Sequence, residues 1–386
     1  MATERLYYAD PYLRAFTARV TGCAEDKNGW LVTTGRTAFY PEGGGQPADR
    51  GFLGGAAVLD VHERGGEVIH LCDRALAVGE EVRGELDWLR RFDHMQQHSG
   101  EHIVSGMLCA RFACHNVGFH MGAETVIIDY DADIPWDALC AVETDANRYL
   151  TEDHAVEIGF YSGAALDAID YRSKKPIPGE VRIVRFPGVD CCACCGTHVA
   201  RSGEVGVVKF LSAQRFRGGT RIALLCGARA LRHLTAVWDE NQRTAQLLSA
   251  KPEQTHAAVA ALSARLEEEK RRRAYWETLA FDAIAEKCAG QGDTLLIQPA
   301  MEPDSVRRLA DAAARRCGSL AAVFAGEDGH WTYALIRADG ADVSALTKRL
   351  NAALTGRGGG RGGVAQGSCA AARREIESFF EREGLV

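Results

Sequence analysis

"CCACCGTHVARSGEVG", residues 191–206, puts four cysteines and a histidine into eight consecutive positions, the densest window of soft donor atoms in the chain. Working outward, "EVRIVRF" at 180–186 reads as a strand that carries the cluster toward a core. Farther upstream, "LRRFDHMQQHSGEHIVSGMLCARFAC" at 89–114 has helical spacing, with Met95, Ile103, Met107 and Leu108 on one apolar side. His94, His98 and His102 follow one another at intervals of four on that helix. Four helical residues turn through about 40° net, so all three project from one side and neighbours among them can share an ion. Cys194 and His198 have the same separation. Two such pairs supply the four N and S donors of a tetrahedral Zn²⁺ site, and thiolate with imidazole favours zinc over magnesium or calcium. Spacing alone leaves the register open. His94/His98 competes with His98/His102, and Cys191, Cys192 and Cys195 compete with Cys194.

The chain has 386 residues and is 46% hydrophobic, enough for two or three domains with real cores. Its net charge of −7 excludes a globally basic nucleic-acid binder, though not a local basic surface. The charged N-terminus lacks the apolar stretch of a secretory signal, and no run of 18 apolar residues suggests a membrane span. Thirteen cysteines, an odd number in a large chain, fit reduced thiols better than a disulfide framework.

The expected fold class is α+β. Residues 1–90 carry short apolar runs ("WLVTT", "AAVLDV", "EVIHLC") between glycine-rich turns and read as a small β-barrel. Residues 91–230 read as an α/β domain holding the donors, closed by a hairpin at Gly218 and Gly219. Residues 231–290 form a charged helical connector. Val259, Leu262 and Leu266 start a heptad seam there that Glu269 and Arg273 break, against a long coiled coil. Residues 291–386 read as a separate C-terminal α/β domain containing "GRGGGRGGVAQGS" at 356–368.

"HSGEH" followed by "CCGTHVARSGEVG" resembles the editing domain shared by alanyl-tRNA synthetases and the AlaX editing proteins. "FYPEGGGQPADRG" is similar to that family's glycine-rich barrel motif, and "GRGGGRGG" to the glycine-rich motif of the DHH-associated domain in long AlaX forms, here interrupted by Arg361. The resemblance covers nearly the whole chain. It implies one zinc ion on His98, His102, Cys194 and His198, with Cys195 standing where glycine is common. It implies hydrolysis of mischarged tRNA(Ala), serine or glycine removed and alanine spared, as expected of a second site that rejects what an aminoacylation pocket admits. The implied partner is noncognate-charged tRNA(Ala) in the cytoplasm, with no membrane or DNA; a homodimer is left open. Because the barrel starts almost at residue 1, an editing protein is expected rather than a full synthetase.

Other residues have two readings. Gly43, Gly44, Gly45 and Gln46 form either an ordinary turn or a bare loop for the tRNA 3′ end, with Gln46 as a polar contact; the resemblance favours the second. Glu101 is a solvated helix carboxylate, or a general base or a contact for the substrate ammonium. His120, in "FHMG", lines the amino-acid pocket or faces solvent. Arg215, Arg217, Arg221, the run "KRRR" at 270–273, Arg357 and Arg361 are phosphate contacts or solvated charges, with Arg357 and Arg361, on a flexible glycine backbone, suiting RNA best. The competing reading of the protein is a noncatalytic tRNA-binding module with a structural zinc, which a deacylation assay with and without metal separates.

Overall fold

The computed structural model describes residues 2–173 and 177–385. The fold is mixed α and β, and the chain divides into two compact units, Met1–Asn241 and Gln242–Val386. In the first, β1 (Glu4–Arg5), α1 (Leu6–Ala9), β2 (Ala15–Asp26), β3 (Gly29–Thr34), β4 (Arg36–Thr37), β5 (Gly51–Leu53), β6 (Ala56–Arg64), β7 (Glu67–Cys72) and β8 (Glu81–Leu86) come in order. Six of these pair in the ring β2-β3-β7-β6-β5-β8, a closed barrel without free edges. Alternation along the strands turns Val32, Val58, Val61, Val68 and Val82 inward around Phe39.

α2 (Trp88–Phe112) begins at Asp87, whose carboxylate accepts from the Arg90 N–H at 3.1 Å, and ends where Ala113 turns left-handed. Fifteen of its 25 residues are buried, so this helix is packed on most sides. β9 (Asn116–Met121), β10 (Val126–Tyr130), α3 (Trp136–Glu152), β11 (Glu157–Tyr161), α4 (Gly163–Asp167), β12 (Val181–Phe186), β13 (Asp190–Ala193), β14 (Val208–Phe216), β15 (Gly219–Cys226) and α5 (Gly227–Leu247) follow. They give one sheet in the order β14-β15-β10-β9 and another in the order β11-β12-β13. Met95, Ile103, Val104 and Leu108 of α2 join Ile128, Val184, Phe186, Val199 and Leu224 in a core distinct from the barrel's.

Arg91 fixes α2 to the barrel loop. It is fully buried, paired with Asp49, and donates to the carbonyls of Pro11 (2.8 Å) and Ala38 (2.5 Å). At the other side Gln97 exchanges two 2.8 Å hydrogen bonds with the Cys226 backbone. Barrel loop, α2 and β15 are therefore held in one register.

In the second unit, α6 (Thr255–Glu286), β16 (Thr294–Gln298), α7 (Pro303–Cys317), β17 (Leu320–Glu327), β18 (His330–Arg337), α8 (Ser344–Ala353), β19 (Gly356–Arg361), β20 (Val364–Cys369) and α9 (Arg373–Arg382) build a sheet in the order β16-β17-β18-β20-β19. Only β16 and β17 run parallel, joined through α7. Phe281 and Ala285, near the end of α6, belong to this unit's core. Val259, Leu262 and Leu266 stay exposed. Among the described residues no helix is long and apolar enough to cross a membrane.

Candidate metal centre

His98, His102, Cys194 and His198 converge, each offering a ligand atom and all four atoms within 4.8 Å of one another. α2 contributes the first two; the loop after β13 contributes the others. Cys194 Sγ lies 3.5 Å from His98 Nε2 and 3.3 Å from His198 Nε2. The structure leaves His94, Cys191 and Cys195 out of this group.

Each ring has its other nitrogen engaged. His98 Nδ1 meets Gln46 Oε1 at 2.9 Å, His102 Nδ1 meets Asp190 Oδ2 at 2.8 Å, and His198 Nδ1 meets Ser99 Oγ at 3.3 Å. All three partner oxygens can accept, which favours a proton on Nδ1 and leaves the Nε2 lone pairs toward the centre. This is how metal-binding imidazoles are usually oriented. Asp190 is itself gripped by Arg172, with Nε at 2.7 Å and the terminal nitrogen at 2.9 Å.

The electrostatics favour a thiolate at Cys194. Burial would raise the Cys194 thiol, but His98, His198 and His102 hold it well below its ordinary value. Burial would lower His102, yet Cys194 and Asp190 raise it well above an ordinary imidazole. Burial depresses His198. A thiolate among three imidazoles is a zinc donor set, and the four residues fit that ion. Cys192 forms a second grouping with His102 and Asp190, but Asp190 is already committed to Arg172.

The glycine loop has the geometry of the ordinary turn. Gly43 and Gln46 exchange backbone hydrogen bonds at 3.1 and 3.0 Å, with Gly44 and Gly45 at positive φ, so this is a tight turn. A Cβ on Gly45 would sit 2.6 Å from the Phe119 ring. Gln46 is fully buried: its oxygen serves His98 and the Thr197 N–H, and its nitrogen donates to Thr197 Oγ at 2.9 Å. Its amide thus holds the centre.

Glu101 is not the solvated helix carboxylate of the first reading. It is buried, and Oε1 accepts from Ser105 Oγ at 2.5 Å and Asn116 Nδ2 at 2.6 Å, tying α2 to β9. His120 is exposed, while Phe119, next to it on β9, stacks on His98 at 5.1 Å. Arg215 pairs with Asp133 and Arg221 with Asp129, and 270–273 pair within α6 with Glu267, Glu268, Glu269 and Glu277. Arg357 and Arg361 are exposed, on an edge strand rather than a flexible loop. Sequence reasoning missed Asp190, Ser99, Thr197, Arg172 and Arg182. Only Asp190, directly before the cysteines, carried a visible signal.

Residues 181–223, which carry the Cys194/His198 pair, match the threonyl and alanyl tRNA synthetase second additional domain, and residues 285–382 match the DHHA1 domain. Fold, donor cluster and these matches define a class in which a synthetase-type second additional domain is joined to a DHHA1 domain. The chain is similar to the alanyl-tRNA editing proteins of AlaX type. It is 34% identical over 245 residues to the alanyl-tRNA editing protein AlaX-L of Pyrococcus horikoshii, covering 61% of this chain and 60% of that one. It is 32% identical over 238 residues to the alanyl-tRNA editing protein Aarsd1-A of Xenopus laevis (60% and 58%). The alanine–tRNA ligase of Pyrococcus abyssi is 31% identical over 405 residues, covering 98% of this chain and 43% of the ligase. The chain spans less than two thirds of the length of each of these relatives.

Proposed function

We propose that the protein is a zinc-dependent aminoacyl-tRNA deacylase of the cytoplasm. It would hydrolyse mischarged tRNA(Ala), with Ser-tRNA(Ala) the first substrate and Gly-tRNA(Ala) the second, and spare Ala-tRNA(Ala). The observation that carries this reading is the convergence of His98, His102, Cys194 and His198, three of them oriented through Nδ1. When bound there, zinc supplies Lewis acidity beside the ester. Gln46, Asp190 and Ser99 hold the imidazoles in place, and Phe119 covers His98 with an apolar ring. Glu101 anchors α2 in this proposal. Arg357 and Arg361 would contact tRNA phosphates. The names of the relatives support the substrate class. The domain plan would be barrel to about residue 90, editing domain to about 230, connector to about 290 and C-terminal domain beyond, supported by the separate barrel and α2 cores and the unit starting at Gln242.

Four protein donors leave no open tetrahedral position, which favours the second reading, a tRNA-binding module with a structural zinc. Purified protein with and without its metal, incubated with Ser-, Gly- and Ala-charged tRNA(Ala), separates the two. The enzyme reading expects Ser-tRNA(Ala) to lose its ester while Ala-tRNA(Ala) persists, and Cys194→Ala to lose zinc and activity together. Intact Ser-tRNA(Ala) under conditions where tRNA binds would establish the module. An Arg357→Ala/Arg361→Ala variant should bind tRNA with a shallower salt dependence, by about one unit of slope per lost contact; an unchanged slope rejects that contact.

A further inference from the structure

Beside the Cys194 loop lies a patch that the deacylase reading leaves without a role. The Cys194 N–H donates to the Arg182 carbonyl at 3.1 Å, and the Arg182 guanidinium donates back to the carbonyls of Cys194 (2.7 Å) and Gly196 (3.0 Å). Arg182 is only 5% exposed, and its Nε is buried without a hydrogen-bond partner. Its neighbours are neutralised: Arg172 by Asp190, Arg185 by Glu157, Arg5 by Glu63. Arg182 forms no ion pair among the described residues. Burying a guanidinium without a counter-charge is costly, which points to an anion arriving from outside.

Aromatic rings surround it. The Arg182 guanidinium carbon is 5.1 Å from the centre of the Tyr8 ring, and Tyr8 meets Phe160 edge-on at 5.9 Å. Phe160 is the cross-strand partner of Arg182 between β11 and β12, and it is 47% exposed. A cation without its counter-ion beside an exposed ring, Phe160, and a half-buried one, Tyr8, is a combination by which proteins hold unpaired nucleotides: the phosphodiester on the arginine, the base against the rings.

We propose that Tyr8, Phe160 and Arg182 seat the unpaired nucleotide that precedes the ester-bearing terminal adenosine, base against Tyr8 and Phe160, phosphodiester against Arg182. This rests on the reading of the protein as a binder of aminoacyl-tRNA. The link to the centre is Cys194, which contributes its sulfur to the donor cluster and its carbonyl to Arg182.

The test uses the full chain and two uncharged acceptor minihelices of tRNA(Ala), one ending in CCA and one abasic at the penultimate position, with binding read by fluorescence anisotropy. Wild type should bind the abasic RNA about tenfold more weakly, as expected for one lost stacking contact. A Tyr8→Leu/Phe160→Ser variant, checked for unchanged zinc content and melting, should bind the CCA RNA about tenfold more weakly and then be indifferent to the abasic change. Arg182→Gln should flatten the salt dependence by about one unit of slope. Equal wild-type binding of the two RNAs overturns the seat alone, as do losses from protein and RNA that simply add. Wild type that binds neither RNA overturns the tRNA reading with it.

Discussion

Gln46 ties the glycine-rich loop to the candidate metal centre. Its amide orients His98 from 52 positions upstream, so Gln46→Ala should keep all four donors and still weaken zinc binding by about 10–100-fold in competition with a chelator. Unchanged affinity would mean that the Phe119 ring alone orients His98. His70 allows a test far from the metal. It is fully buried in the barrel, between Thr37 Oγ (2.8 Å) and the Val32 carbonyl (3.0 Å), and burial lowers its pKa from 6.5 to about 4. The unfolded chain therefore takes up this proton near pH 6.5 and the folded one near 4. The stabilisation is complete above pH 6.5 and is lost as pH falls toward 4. Between pH 7 and 5 wild type should lose about 2 kcal/mol more than His70→Gln in denaturant titrations; parallel pH profiles would contradict the assignment. The donor pairs were legible because helical spacing of four is local information. The contacts that Gln46 and Asp190 make, 52 and 88 residues from the rings they hold, were not, since no local pattern encodes a partner at that distance, even though Asp190 stands directly before the cysteines.

Among the elements, β19 shows what a glycine run can hide. "GRGGGR" reads as flexible because glycine resists no conformation, yet here it is an edge strand paired from Gly356 to Arg361 with β20. Close approach explains the composition. A Cβ on Gly358 would lie 2.5 Å from the Tyr333 hydroxyl, and one on Gly360 would lie 1.9 Å from the Val364 carbonyl, while Gly359 has open space. Gly360→Ala should therefore destabilise the second unit by about 1–3 kcal/mol, whereas Gly359→Ala should stay within about 0.5 kcal/mol. Equal effects would mean that the glycines serve chain flexibility instead. α2 makes a similar approach, with Gly106 against the Val189 carbonyl and Gly100 against Cys226, where added Cβ atoms would come within 2.4 and 2.2 Å. The helix itself was legible from its apolar spacing. Its burial on most sides was not, because the buried Gln96, Gln97, Ser99 and Ser105 look like a solvent face until their partners are known.

For the whole molecule, the division into Met1–Asn241 and Gln242–Val386 places all four residues of the candidate metal centre in the first unit and the glycine-rich edge strand in the second. A ligand that binds only the folded form of one unit stabilises that unit alone, by about 2.7 kcal/mol at one hundred times its dissociation constant. For a unit of this size that corresponds to about 5–10 °C in melting temperature. Calorimetry of the zinc-loaded protein should accordingly resolve two transitions, since separate cores need not melt together. A chelator should lower one by about that much and leave the other in place. Cys194→Ala should show the lowered transition from the start and no further response to chelator. Gly360→Ala should move only the transition that the chelator leaves alone. If both transitions fall together on zinc removal, or only one is seen under every condition, the two units melt as one cooperative body and the metal stabilises the entire chain.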